Sequence, residues 1–290
     1  MKDETIRLYY YTKAETLDKI LSSGLIKLTA ISEANDPFEG SIQHPEPDAP
    51  YSDFIKKACE KSTWDSYIKE EPPLVICFST MMSSPSMWGH YADKHQGVCL
   101  VFDVPVHFLT RGEEMADNDK NNARAIFPIE YTDEKPSIRN WKYEKEIDIY
   151  MRMKREASIH KGKEWSFENE VRIEVADALC SSKKHTDIVW KDGCPYYKGL
   201  MGYLKGVILG VRCKKLPIWV DCYLKQLKYD NVLVARAEIS PTHYKILVRS
   251  PRGDIFVDSC SDVNKIRRLY EIDHGVEIDR LWFILPSKDK

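Results

Sequence analysis

The sequence predicts an α+β domain with central β-sheets and flanking helices, mainly because of two short apolar runs near its middle. Residues 74–78 and 98–102 are each too short for a helix and are bounded by turn-forming residues, as buried strands are. Both runs are expected in the central sheets, because buried backbone groups must be hydrogen-bonded. Between them, apolar residues recur at three- and four-residue spacing and predict one short helix. These residues are Met87, Trp88, Tyr91 and Ala92.

Composition indicates an ordinary globular protein. The 290 residues are 43% hydrophobic and 30% charged, which is enough to bury a sizeable core. The net charge of −2 gives no global basic field that would attract nucleic acid. No apolar run approaches the roughly 18 residues of a membrane helix and the start carries no cleavable apolar segment, so we predict a cytoplasmic protein with no membrane partner. The 8 cysteines include no Cys-x-x-Cys pair, and neither a disulfide framework nor a zinc site is predicted.

The N-terminal elements are predicted as strand, helix and strand. Residues 7–12 form an aromatic strand, residues 13–23 form a helix that Gly24 ends, and residues 25–28 return as a strand. A string of turn-forming residues at 32–40 follows. It is interpreted either as a simple turn or as a loop with a polar, aromatic face over a pocket.

The rest of the chain continues the α+β pattern. Residues 1–258 are predicted to form a single domain, on which residues 259–290 pack as a C-terminal appendage. The further predicted elements are a helix around 53–68, a polar loop at 111–122, a strand at 125–131, a helix within 141–164, a central strand at 203–211, a helix at 216–227, and strands at 232–239 and 245–248.

The segment 164–175 is predicted as one strand with a charged face. Alternation places Glu168, Glu170 and Arg172 on that face together with Glu174. For an isolated pattern of this kind, a half-exposed strand whose charged face meets water is the plainer interpretation. Three acids and an arginine at alternate positions also fit a site that stabilises positive charge.

Two further polar residues adjoin the central runs. A strand that ends at Ser79, followed by a helix that carries His90, is a common way to line a pocket. The plainer alternatives are a hydrogen-bonded structural role for His90 and core filling for Trp88. We expect Ser79, His90, Asn35 and Tyr11 to meet in one cleft, because each adjoins an element whose apolar half faces the core.

Taken together, these segments resemble a bacterial family of unknown function that shares Asn-Asp-Pro-Phe, Cys-Phe-Ser and Trp-x-His-Tyr-Ala signatures. Here the signatures stand at residues 35–38, 77–79 and 88–92. More distantly, the order is similar to the ADP-ribosyltransferase fold of DarT-like toxins, with an aromatic first strand, a helix ending in Leu-x-x-Gly-Leu, a strand ending in Ser and a late strand carrying glutamate. The resemblance implies an ADP-ribosyltransferase-like fold, with a split mixed β-sheet core and flanking helices.

The resemblance also implies a function, that of an NAD-dependent ADP-ribosyltransferase or NAD glycohydrolase acting as a toxin or anti-phage defence effector. NAD would be the co-substrate, and a protein or nucleic acid would be the acceptor. Glu170, with Glu168 beside it, would be catalytic and stabilise the oxocarbenium-like transition state. The residues expected to bind the substrate or cofactor are Tyr10, Tyr11, Thr12, Asn35, Asp36, Phe38, Ser79, His90, Tyr91 and Arg172.

Two alternatives from other classes stay open. The same cleft can serve a non-catalytic module of bacterial immunity that binds a nucleotide or a peptide. It can also serve a metal-dependent hydrolase or nuclease that uses Glu168, Glu170 and Asp36. Nicotinamide release, binding without turnover and dependence on a divalent ion distinguish the three.

Overall fold

The computed structural model describes residues 5–46, 51–70, 72–105, 124–137, 146–175, 187–249 and Asp258. The loop predicted at 111–122 and the appendage predicted at 259–290 lie outside these residues. The helices are α1 (Ala14–Ser23), α2 (Asp53–Ala58), α3 (Lys61–Glu70), α4 (Pro85–Tyr91), α5 (Glu146–Ile159) and α6 (Pro217–Gln226). The strands are β1 (Thr5–Thr12), β2 (Ile26–Lys27), β3 (Thr29–Ala30), β4 (Leu74–Ser79), β5 (Val98–Pro105), β6 (Arg124–Pro128), β7 (Glu130–Thr132), β8 (His160–Gly162), β9 (Glu170–Val175), β10 (Ile188–Lys191), β11 (Cys194–Tyr197), β12 (Leu204–Leu209), β13 (Leu233–Ile239) and β14 (Ile246–Arg249).

The described strands form one large mixed sheet and two small ones, which confirms the predicted α+β class. The large sheet has nine strands in the order β14-β13-β12-β5-β1-β4-β9-β6, with β3 paired to β4. Within it β12 and β13 are parallel and are connected through α6, as a parallel pair requires. The small sheets are β10-β11-β2 and the parallel pair β7-β8.

The large sheet consists of two halves that meet at one residue pair. β1 pairs with β5 along its whole length, from Thr5 opposite Pro105 to Thr12 opposite Val98. β4 pairs with β9 over six residues. Between β1 and β4, however, the described pairing is limited to Tyr9 opposite Ser79. The two strands therefore separate beside this junction, and the sheet opens there.

Both central runs are strands of the large sheet, and the segment between them contains the predicted helix. β4 and β5 do not pair with each other, because β1 lies between them. Ser84 caps the start of α4 by accepting a hydrogen bond from Met87 N, and Pro85 occupies the first turn. Trp88 is fully buried and its Nε1 donates to Met82 O (2.8 Å), so it fills the core.

The large sheet has a hydrophobic core on each face. On one face, α1 packs Leu17 and Leu21 against the even-numbered apolar residues of β1 and β5, such as Leu8 and Phe102. On the other face, α4 packs against Tyr9, Tyr11 and Val101. Because successive side chains of a strand point to opposite faces, the same strands contribute residues to both cores. A third cluster lies between α2, α3 and α5 around Trp64.

The prediction of one strand over 164–175 is wrong in its first half. Lys163–Glu168 forms a 3₁₀ helix, and β9 begins only at Glu170. Asn169 lies between them with φ +43°, in the left-handed region that Asn tolerates and that a strand cannot contain. Glu168 therefore reaches the charged residues of β9 from a turn and not from the face of the strand.

Other element boundaries also differ from the predictions. The helix predicted around 53–68 is two helices, and the strand predicted at 125–131 is interrupted at Ile129. The helical segment predicted within 141–164 is shorter, because residues 160–162 form β8. The β10–β11 hairpin was not predicted, although its Asp192-Gly193 turn, with both φ values positive, is a strong hairpin signal.

We expect Gly97→Ala to destabilise the protein, because a Cβ at this position would lie 2.2 Å from Thr12 O and 2.9 Å from backbone atoms of Ala92. Overpacking against backbone predicts a loss of about 2–3 kcal/mol in the free energy of unfolding, measured by urea denaturation. Gly202→Ala is the matched control, since its added methyl group meets nothing within 4 Å. Equal stability of the two variants would contradict the close approach at Gly97.

Candidate functional site

A cluster of five buried charged residues lies at one end of β9. It consists of Glu39, Lys161, Glu168, Glu170 and Arg172, and we call it the charged cluster. Lys161 lies at its centre, with its Nζ 2.6 Å from Glu168 Oε2 and 3.2 Å from both Glu170 Oε2 and Glu39 Oε1. One ammonium group thus joins three carboxylates, of which Glu39 comes from a distant segment of the chain and Glu168 and Glu170 are two residues apart.

Arg172 joins two of the same carboxylates from the other side. Its Nε and Nη2 bind Glu170 at 2.7 and 3.2 Å, while Nη2 also lies 2.6 Å from Glu39 Oε1. Its Nη1 donates to Ser158 O (2.8 Å). Glu170 and Arg172 can pair because they are two residues apart on β9 and therefore share a face of the strand. The guanidinium fork fixes the orientation of the Glu170 carboxylate.

A hydrogen-bonded rim extends the cluster towards the surface. The Tyr91 hydroxyl, at the end of α4, donates a short hydrogen bond to Glu168 Oε1. The exposed side chain of Asn35 lies near the Tyr91 hydroxyl. Ser79 is fully buried and donates from Oγ to the backbone oxygen of Glu168 (2.6 Å). Two predicted residues from distant segments, Tyr91 and Ser79, therefore meet at Glu168.

Cys77 marks an opening in the sheet beside the cluster. Its side chain is exposed although it lies on β4, an interior strand between β1 and β9. It lies opposite Arg172 in the strand register and close to Glu170. The described pairing of β4 with β1 is limited to Ser79, so β1 does not cover Cys77. Surrounding protein and the charge of Glu170 raise the pKa of the Cys77 thiol well above its ordinary value.

The two glutamates of the cluster have pKa values displaced in opposite directions. Burial, together with the charge of Glu170, raises the pKa of Glu168 to about 7. Burial also opposes ionisation of Glu170, but the charges of Arg172 and Lys161 outweigh it and lower the pKa of that carboxyl. Burial would lower the pKa of Lys161, but its three carboxylate partners raise it. Near neutral pH, Glu170 is therefore ionised while Glu168 can take up or release a proton.

The predicted residues of the first strand make their contacts outside the charged cluster. Tyr10 packs edge-to-face on Phe78, and burial together with the nearby Cys77 raises its pKa to about 12. Tyr11 is buried on the opposite face, where its hydroxyl donates to Met81 O (2.6 Å) and its ring contacts Trp88. Thr12, at the end of β1, is half-buried. Tyr10 shares its face of the large sheet with Phe78, whereas Cys77 and its partner Arg172 alternate onto the other face.

The predicted loop residues and His90 have other positions. Asp36 is buried and its Oδ1 accepts a hydrogen bond from Phe38 N (2.9 Å), which stabilises the turn. Phe38 is 64% exposed. His90 is exposed and lies beside Phe167, with ring centroids 5.4 Å apart, at the edge of the 3₁₀ helix that carries Glu168. These residues surround the rim, whereas Glu39 from the same loop enters the cluster.

Sequence reasoning missed four residues of the site: Glu39, Cys77, Lys161 and Tyr131, whose hydroxyl accepts a hydrogen bond from Glu170 N (2.9 Å). Glu39 adjoins the Asn-Asp-Pro-Phe signature, and that position was an available signal. Lys161 carried no signal, because a lysine near other lysines after a helix is typical of a solvated surface. Its role depends on contacts with residues up to 122 positions away in the chain.

Fold and site together define an α+β protein with one large mixed sheet and a buried charged cluster at one end of β9. Residues 87–173 match a family described as "Protein of unknown function (DUF2971)". For that region, this match confirms the predicted relation to a family of unknown function. The region runs from α4 into β9 and contains Tyr91, Lys161, Glu168 and Glu170. No curated protein and no solved structure matches the chain significantly. None of the described helices is long and apolar enough to cross a membrane.

We expect Lys161→Met to destabilise the protein strongly, because three buried carboxylates would lose the cation that they share. Removing one partner of a buried ion pair costs about 3–5 kcal/mol of unfolding free energy. Lys163→Met is the matched control, since Lys163 is exposed two residues away. Adding Glu168→Gln to Lys161→Met should recover part of the loss in a double-mutant cycle measured by urea denaturation. A loss below about 1 kcal/mol for Lys161→Met would contradict the central role of Lys161.

The raised pKa of Glu168 predicts a pH dependence of stability. Between the ordinary value of 4.5 and about 7, the folded protein binds more protons at this carboxyl than the unfolded chain does. The free energy of unfolding should therefore fall as pH rises through this window, by roughly 2–3 kcal/mol from this group. The lowered pKa of Glu170 has the opposite effect at lower pH. The stability that it contributes is present above the ordinary value of 4.5 and is lost as pH falls below that value.

Denaturation by urea at pH 4.5, 5.5, 6.5 and 7.5 tests this dependence. Glu168→Gln should remove the corresponding part of the fall in unfolding free energy, whereas Glu164→Gln, at an exposed position of the same 3₁₀ helix, should leave it unchanged. If the Glu168 variant keeps the pH dependence of the parent protein, the raised pKa is refuted.

Proposed function

We propose that the protein is an NAD-consuming enzyme of the ADP-ribosyltransferase type and that Glu170 stabilises its cationic transition state. The observation that carries this proposal is the environment of Glu170. It is an ionised, buried carboxylate that Arg172 and Lys161 orient, and it lies next to the exposed residue Cys77. A carboxylate that is both preorganised and adjacent to an accessible surface suits a reaction in which positive charge develops.

Cleavage of NAD develops a positive charge that such a carboxylate would stabilise. When the bond between ribose and nicotinamide breaks, the electron pair leaves with the nicotinamide nitrogen and the ribose carbon becomes oxocarbenium-like. A carboxylate at this point lowers the energy of the cation most effectively where water is excluded. Glu170 meets this condition because it is 5% exposed and cannot reorient away from Arg172.

Glu168 supplies the second chemical function. The acceptor forms its new bond to the ribose carbon through an oxygen or nitrogen atom and must then lose a proton. A carboxylate whose pKa is about 7 can accept that proton near neutral pH. Because their environments differ, Glu168 can act as the proton acceptor while Glu170 stays ionised. Other sites with two carboxylates divide the roles in the same way. Water in place of the acceptor would make the reaction a glycohydrolysis.

Other residues define the walls of the proposed site. Asn35 and Tyr91 hold the rim on the Glu168 side. We propose a protein or nucleic acid as the acceptor, in the setting of a bacterial toxin or anti-phage defence effector.

One observation favours the non-catalytic alternative. Each oxygen of Glu170 already has a partner within the protein, so the cluster can serve mainly to hold the cleft in shape for a bound nucleotide or peptide. The metal-dependent alternative has less support. Asp36 is engaged in its own turn, and the described residues contain no group of three His, Cys, Asp or Glu side chains that could hold a metal ion.

We expect Glu170→Gln to lower the rate of nicotinamide release from NAD by roughly a hundredfold or more, because glutamine keeps the shape but removes the charge. Release is measured by chromatography of reactions with purified protein. Glu174→Gln, which makes the same change on the same strand, should retain the parent rate. Glu170→Asp, which keeps the charge, should retain more activity than Glu170→Gln.

The stability of each variant is measured in parallel, because Arg172 loses a partner when Glu170 is neutralised. A folded Glu170→Gln variant with the parent rate would refute the assigned role. Binding of NAD by the parent protein without nicotinamide release would instead support the non-catalytic alternative.

A further inference from the structure

Three large apolar residues are exposed together at the start of α6. Leu216, Ile218 and Trp219 are 54%, 62% and 73% exposed. The helical period explains why, since α6 buries Val220 and Leu224 and so turns residues 218 and 219 outwards. An apolar patch of this kind on a folded protein commonly marks an interaction site.

The patch is held in place by the surrounding structure. Arg236 donates hydrogen bonds to Cys213 O (3.1 Å) and Lys215 O (2.7 Å), and Lys215 Nζ pairs with Asp18 (2.7 Å). The segment that leads into α6 is therefore anchored both to β13 and to α1. The exposure of Leu216 and Trp219 follows from a fixed backbone.

Basic side chains adjoin the apolar residues. Arg212 and Lys214 are exposed in the segment just before α6. A backbone hydrogen bond from Arg212 N to His95 O (3.0 Å) brings the loop after α4 alongside, and this loop carries the exposed Lys94. The surface thus combines aliphatic and indole side chains with amino and guanidinium groups, although the whole chain has a net charge of −2.

We propose that residues 212–219 dock the protein on an anionic lipid surface, and we call them the docking segment. Tryptophan and aliphatic side chains at the interfacial depth, with flanking basic residues on the headgroups, are the features of peripheral membrane contacts. Leu216 and Ile218 offer no ring for base stacking, so the patch does not suit nucleic acid.

The size of the patch favours lipid over a protein partner. The three apolar side chains expose on the order of 400 Å². A stable protein–protein interface needs about 800 Å² on each partner, so this patch fills only about half of one. Reversible lipid contact has no such requirement, because basic residues contribute additively near a negative surface. A peripheral contact needs no spanning helix.

Flotation of the full-length protein with vesicles tests the proposal. Binding to vesicles of phosphatidylcholine with about 30% phosphatidylserine should exceed binding to pure phosphatidylcholine by at least about tenfold. It should weaken in about 0.5 M NaCl, because salt screens the charges. The triple variant Leu216→Ser, Ile218→Ser, Trp219→Ser should lose at least tenfold in binding. The double variant Arg212→Glu, Lys214→Glu should bind both vesicle types equally weakly.

Trp190→Ser is the matched control, because Trp190 is also exposed (47%) but lies on β10, outside the docking segment. It should bind like the parent protein. Failure of the parent to bind the anionic vesicles would overturn the proposal in favour of a protein partner. Equal loss in Trp190→Ser would overturn it as well. The proposal would also be overturned if the parent protein self-associates in sedimentation experiments and the triple variant does not. A second copy of the chain would then cover the patch.

Discussion

The mutual neutralisation of Lys161 and Arg172 with three buried carboxylates is the constraint on which this end of the molecule depends. None of these charges can be buried alone, because the loss of hydration costs several kcal/mol for each ion. The turn that carries Glu39, the segment after α5 and the start of β9 must therefore come together in the folded state. Together these segments form a single electrostatic unit, and partial assembly would leave an uncompensated charge.

The position of this unit follows from the way the sheet is split. β1 and β4 are paired at Tyr9 and Ser79 and then separate, so the edge of β4 at Cys77 is not covered by its neighbour. A polar cluster is tolerated there because it replaces the missing strand contacts with ion pairs. The separation also gives access to the cluster, since Cys77 is exposed while its partner Glu170 is nearly buried. The limited pairing of β1 with β4 thus leaves an exposed residue, Cys77, directly beside the buried charges.

The sequence predicted the strands and helices that bury apolar residues at regular spacing, including β4, β5, α1, α4 and α6. It failed where conformation depends on distant contacts. The 3₁₀ helix before β9 was predicted as strand, because alternation continued through a segment whose backbone is turned by Asn169. Glu168, Glu170 and Arg172 were recognised as candidates through their unusual pattern. Lys161 was not, because nothing local distinguishes a buried lysine from a solvated one, and only the folded chain places three carboxylates around it.

The charge balance of the cluster connects stability with the proposed chemistry. Three carboxylates face two cations, so the cluster carries one net negative charge unless one carboxyl binds a proton. Arg172 and Lys161 hold Glu170 ionised, and the excess negative charge therefore raises the pKa of Glu168, which burial has already raised. An ionised Glu168 is less favourable for the fold, but it is the form that can accept a proton. A developing cation beside Glu170 would relieve the same excess charge, and the arrangement that strains the resting protein would then favour the transition state.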